Sequence, residues 1–135
     1  MGAIRVKVRL KNNVDESRYR HGEIAIDQIR SFETDALVDT GAVRCVVPPE
    51  VVRQLGVDVR GQRVAEYADG RKETVGMTEP MIFDLLGRDT AEEALVLGDE
   101  VLIGQTVLEK LDLLADCANQ RLIPAHPDGP VSKVK

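Results

Sequence analysis

The residues of this chain best suited to chemistry are concentrated in "ALVDTGAVRCVV", residues 36–47, where Asp39 ends a run of apolar strand formers and is followed at once by Thr40 and Gly41. An ionised carboxylate at the end of a buried strand is costly unless it is hydrogen-bonded or paired. Two readings are open at this point. Asp39 is a carboxylate that moves protons, or it caps its own backbone in a tight bend, since Asp and Gly are both turn formers. Two other stretches bear on the choice. "YADGRK", residues 67–72, sets Asp69-Gly70 between polar, β-prone arms, the strongest short-range hairpin signal. "VLIGQTVLEKL", residues 101–111, runs an apolar strand into Gly104 and then into a short helix. Cys45, Cys117, His21 and His126 have a zinc site's ligand count without its local spacing, so no metal and no other cofactor is expected.

The elements that must position these residues follow from periodicity. "IRVKVRL", residues 4–10, alternates apolar and basic side chains and predicts a strand with one buried face. "KNNVDESRYRHG", residues 11–22, reads as a polar loop, and further strands are expected at 23–29, 34–39 and 44–48. Pro at the start and Gly at the end mark "PPEVVRQLG", residues 48–56, as a short helix. The arms of the hairpin in residues 61–77 hold few large apolar residues, so it should project from the body. Strands are expected at 80–86 and 92–98, although "DTAEEAL", residues 89–95, has a capping-box pattern that is also compatible with a helix. A short strand, a helix of about two turns and two more short strands complete residues 99–125, and residues 126–135 read as a flexible C-terminal tail.

Composition bounds the rest. At 135 residues the chain fits one domain. With 43% hydrophobic and 30% charged residues it has an ordinary globular balance, and with 3% aromatics its core must be built from Val, Leu and Ile. A net charge of -5 and a pI near 5.1 argue against a nucleic-acid partner, and Arg5, Lys7, Arg9 and Lys11 alternate along one strand as a solvated face. No apolar run reaches the roughly 18 residues of a membrane span, and "MGAIRVKVRL" alternates where a signal peptide would be uniformly apolar. A cytoplasmic protein with reduced thiols and no membrane partner is expected.

In order, the chain runs an apolar strand into Asp-Thr-Gly-Ala, then a polar hairpin about 30 residues later, then an apolar strand into Gly and a short helix. At "ALVDTGA", "YADGRK" and "VLIGQTVLEKL" it resembles the retropepsin-like aspartic proteases, the single-domain relatives of retroviral proteases, over roughly residues 4–125. The resemblance implies an all-β fold, a small closed β-barrel with one or two short helices, as a protease domain over residues 1–125. It implies an endopeptidase active as a homodimer on extended polypeptide segments. The chemistry supports a pair independently: one ionised carboxylate takes a proton from water while a protonated one donates to the carbonyl oxygen. Two carboxylates about 3 Å apart share one proton. The chain holds a single Asp-Thr-Gly, so the second Asp39 must come from a second copy.

Carried over to this chain, the resemblance makes Asp39 the catalytic carboxylate. Thr40 would hydrogen-bond across the dimer, Gly41 would let backbone approach closely, and Gly104, backed by Leu102 and Ile103, would pack against the loop. Tyr67, Ala68, Asp69, Gly70 and Arg71 would form a flap over the substrate. At Ala42 there is no hydroxyl to favour the anion, which suits activity at mildly acidic to neutral pH. Two positions depart from the retroviral pattern: Val43 and Gln105 stand where an acidic residue and an Arg form an ion pair near the dimer contact. The alternative is a non-catalytic peptide-binding or dimerisation module on the same fold.

Overall fold

Strand β1 (Arg5–Lys11) buries Val6, Val8 and Leu10 and exposes Arg5, Lys7 and Arg9, as its period-two alternation requires. In the computed structural model, which describes residues 3–134, β1 lies between β2 (Ser31–Val38) and β6 (Met81–Leu85), antiparallel to both. On the far side of β6 runs β7 (Arg88–Glu92). On the far side of β2 come β9 (Leu102–Ile103), β3 (Cys45–Val47), β8 (Ala94–Val96), β5 (Lys72–Thr78) and β4 (Val59–Glu66), in that order. The β2–β9 and β3–β8 pairs are parallel. Two short strands, β10 (Leu113–Asp116) and β11 (Arg121–Pro124), pair separately.

One face of this sheet makes the core. Val8, Leu10, Ala36, Cys45, Val47, Phe83, Ala94 and Ile103 are all fully buried there, joined by Leu55 of α2 (Pro49–Leu55) and Val107 of α3 (Gln105–Leu111). Gly56, in the left-handed conformation at φ 65°, ends α2 as the sequence requires. None of the described helices is long and apolar enough to cross a membrane.

Three expectations need correction. The sheet is not a closed barrel: β4 and β7 are its two edges and do not pair. Nearly every residue of β4 is exposed, so it has no apolar face to draw it onto the core, while Lys110 of α3 donates to Ala91 O and Arg88 donates to Leu111 O across β7. Among the described residues there are three α-helices rather than one or two. The third is α1 (Asn13–Arg20), in the stretch read as a loop, where the Asn12 side chain caps by accepting from Asp15 N. Residues 23–29 hold a 3-10 turn, Ile26–Gln28, in place of a strand. Of the two readings left open at residues 89–95 the extended one holds, because Ala91 and Glu92 pair with β6 and Ala94 with β3. Past β11, His126 Nδ1 and the Val131 N–H both meet the Asp112 carboxylate, at 2.6 and 3.1 Å.

Candidate active site

The backbone around Asp39 is held from two directions. Leu37 N donates to Val101 O and Asp39 N to Ile103 O, so the end of β2 continues its pairing beyond β9. The chain then turns, with Ala42 N donating to Asp39 O at 3.1 Å. The Asp39 carboxylate accepts from Gly41 N at 3.0 Å through Oδ1, leaving Oδ2 with no protein donor among the described residues. The local cap and the chemically available carboxylate are therefore both present in one half-buried side chain.

Gly104 explains how the two apolar-strand elements fit. A side chain there would place Cβ 2.5 Å from Arg44 O and 3.0 Å from Ala42 O, so the Gly104 backbone lies directly against the loop. Beyond it, Gln105 N donates to Ala42 O and Thr106 N to Val43 O, both at 2.9 Å. Gln105 contributes more than its backbone: its Nε2 donates to Thr40 O at 3.0 Å. At the position where retroviral enzymes carry Arg, this chain thus ties down the exposed Asp-Thr-Gly loop with a neutral amide. Cys45 supports from below, its buried sulfur accepting from Gly104 N at 3.2 Å. Burial pushes its thiol up to about 11, so it stays protonated and inert at neutral pH. Sequence reasoning missed the parts played by Gln105 and Cys45, although their places, one after Gly104 and six after Asp39, lay inside the motifs.

Beside the loop runs a groove of about 510 Å³. Val46 pairs with both Leu95 and Leu102, which sets these three side chains in a row across β8, β3 and β9 as the floor. Gly41 and Ala42 line one wall, and Arg63 to Tyr67 of the β4–β5 hairpin line the other. Asp39 and Thr40 are outside the lining, as are Ala68, Asp69, Gly70 and Arg71, which form the hairpin tip. That tip is closed by Tyr67 N donating to Arg71 O, with Gly70 at φ 86° and Asp69 Oδ1 accepting from Arg71 N. The Arg71 guanidinium lies 4.3 Å from the Tyr67 ring centroid. The Tyr67 hydroxyl donates to Glu73, and this bond to a carboxylate holds its pKa above the usual value.

A family model described as "Aspartyl protease" matches residues 23–107, well over half of the chain. The chain belongs to the retropepsin-like aspartyl protease family. Membership spans Asp39-Thr40-Gly41, the hairpin and Gly104, and leaves β1 and the β10–β11 pair outside the match. Comparison with curated proteins gives no match.

Proposed function

We propose that this aspartyl protease family member is an endopeptidase that cleaves extended polypeptide segments as a homodimer, with one Asp39 from each copy. A single observation carries the reading. The chain's only Asp-Thr-Gly presents a carboxylate with one oxygen unengaged among the described residues, on a loop clamped by Gly104 and Gln105, at the edge of an apolar groove walled by a projecting hairpin. One carboxylate is half of the apparatus. With a second Asp39 across a two-fold axis, the ionised member accepts a proton from the attacking water as its partner donates one to the carbonyl oxygen. The peptide nitrogen then leaves with a proton returned by the pair. Thr40 and Val43, exposed on the same loop, would meet their copies at the axis. An extended segment suits the groove, because alternate side chains of a strand fall on its apolar floor.

The test is cleavage of a diverse peptide library between about pH 4 and 8, with Asp39→Asn alongside. Asparagine keeps the shape and removes the shared proton, so cuts should be made by the unmutated protein alone. Cuts by both would sink the assignment of Asp39. Binding without any cut, by either protein, would favour a peptide-binding module.

A further inference from the structure

The groove is apolar along its floor and charged on its walls, and its two arginines are not equivalent. Arg44 faces Glu93 at 3.7 Å and Glu92 at 4.0 Å. Arg63 has no carboxylate partner and no side-chain hydrogen bond among the described residues, although the other hairpin arginines are engaged, Arg60 with Glu79 and Arg71 with the Tyr67 ring. Its direction follows from register. Arg63 pairs with Val75, and paired residues of an antiparallel ladder share a face, so Arg63 lies on the side of the hairpin that carries the buried Val75 and Met77. Met77 in turn pairs with Leu95 of the groove floor. Glu66 also lines the groove, but it is an odd number of residues from Arg63 and pairs with Lys72, which puts it on the outer face.

We propose that Arg63 determines specificity by binding an Asp or Glu side chain of the substrate, in a segment whose neighbouring aliphatic side chains fill the floor made by Leu95, Val46 and Leu102. This rests on the peptidase reading above. The chemistry is that of an unpaired cation beside apolar surface. A guanidinium presents a planar fork of donors that fits a carboxylate bidentately. A substrate lysine at the same place would meet like charge on the groove wall, and selection against it is as much a part of specificity as attraction. The net charge of -5 makes this local preference informative, because the protein as a whole repels acidic peptides and only a local site can reverse that.

The experiment has two readouts. Peptides with an aliphatic core and Glu, Gln or Lys at each flanking position are offered to the unmutated protein, Arg63→Lys and Arg63→Glu, and kcat/KM is measured. Separately, Asp39→Asn and the double variant Asp39→Asn/Arg63→Glu are titrated with fluorescent Glu and Lys versions of one peptide. At one flanking position Glu should exceed Lys by about tenfold, weakened but kept in direction in Arg63→Lys and inverted in Arg63→Glu, with the same order in binding. Cleavage with no charge preference, or with a preference that Arg63→Glu leaves in place, overturns the inference while the peptidase reading stands. Arg63-dependent binding of acidic peptides with no cleavage does the opposite. Absence of both cleavage and charge-dependent binding also overturns it.

Discussion

At the residue scale, Gly104 and Gly41 flank the same loop for different reasons. The φ of Gly104 is -100°, which any residue adopts, so space alone excludes a side chain there. The obstacle is main-chain atoms, Arg44 O and C at 2.5 and 2.7 Å from a Cβ, and these cannot turn aside as a side chain would. Gly104→Ala should therefore lower stability by about 1–3 kcal/mol, the usual cost of overpacking, read as a drop in the urea midpoint. It should also reduce kcat more than it raises KM, because the displaced segment carries Asp39. At Gly41 a Cβ would sit 3.4 Å from Asp39 Oδ1, an ordinary contact, so Gly41→Ala should unfold at nearly the unmutated midpoint. An equal loss of stability in both variants would contradict this division. Ala42 makes a separate prediction: Ala42→Ser supplies a hydroxyl that favours the ionised member of the proposed pair. The acid limb of the pH–rate profile should then move to lower pH, and an unmoved limb would mean that the side chain at 42 does not face the carboxylates.

At the element scale, α1 is the helix whose stability is least expected from composition. Val14 is 66% exposed and the buried member of α1 is Asp15, so polar bonds replace the usual apolar stripe. The Asp15 carboxylate accepts from Arg30 Nε at 2.8 Å, Nη2 at 3.0 Å and the Arg30 backbone N–H at 3.0 Å. Asn12, which caps α1, donates to Leu55 O at 2.8 Å and so fastens the helix to the end of α2. Arg30 holds the Asp15 carboxyl below the usual carboxylate range. A depressed folded-state value means that the stability from this pair is complete above the unfolded value near 4 and is lost as pH falls through the folded value. Asp15→Asn should cost about 1–3 kcal/mol at pH 7, as expected for hydrogen bonds to a charged group, and the gap from the unmutated protein should narrow below about pH 4. Urea titrations at both pH values would show it. A gap that persists in acid would assign the effect to packing. The same bonds explain what the sequence could and could not reveal. β1, the Asp-Thr-Gly turn and the β4–β5 hairpin were legible because alternation and turn residues are local. The third helix was not, since it depends on Arg30 lying 15 residues from Asp15. Nor was the Gln105 bond to Thr40 O, 65 positions apart, or the groove floor, which three strands assemble only through their register.

At the scale of the whole molecule, the open sheet and the single Asp-Thr-Gly bear on one question, which is whether one copy is enough. The β4 edge carries exposed Arg60, Arg63 and Glu66, charge that discourages edge-to-edge pairing with another sheet. Association would instead fall at the exposed Thr40, Gly41 and Val43 of the loop, where Val43 is 69% exposed and carries no charge to be desolvated. If the active unit is a two-fold dimer in which both Asp39 carboxylates are needed, Asp39→Asn must poison the unmutated chain. With free exchange and tight association, activity from a fixed amount of unmutated protein falls as the inverse of one plus the molar ratio of variant: about one half at equal amounts and about one tenth at a ninefold excess. A monomeric catalyst would be unaffected by the admixture, so the two architectures separate without any structure of the dimer. Val43→Asp offers the complementary arm. Like charges brought together at the axis should weaken association and make specific activity fall steeply on dilution, while the unfolding free energy from urea titration at low protein concentration stays within about 0.5 kcal/mol of the unmutated value, as for a surface substitution. Activity that is linear in protein concentration for both proteins, and indifferent to Asp39→Asn, would place the second proton-transfer group within the same chain.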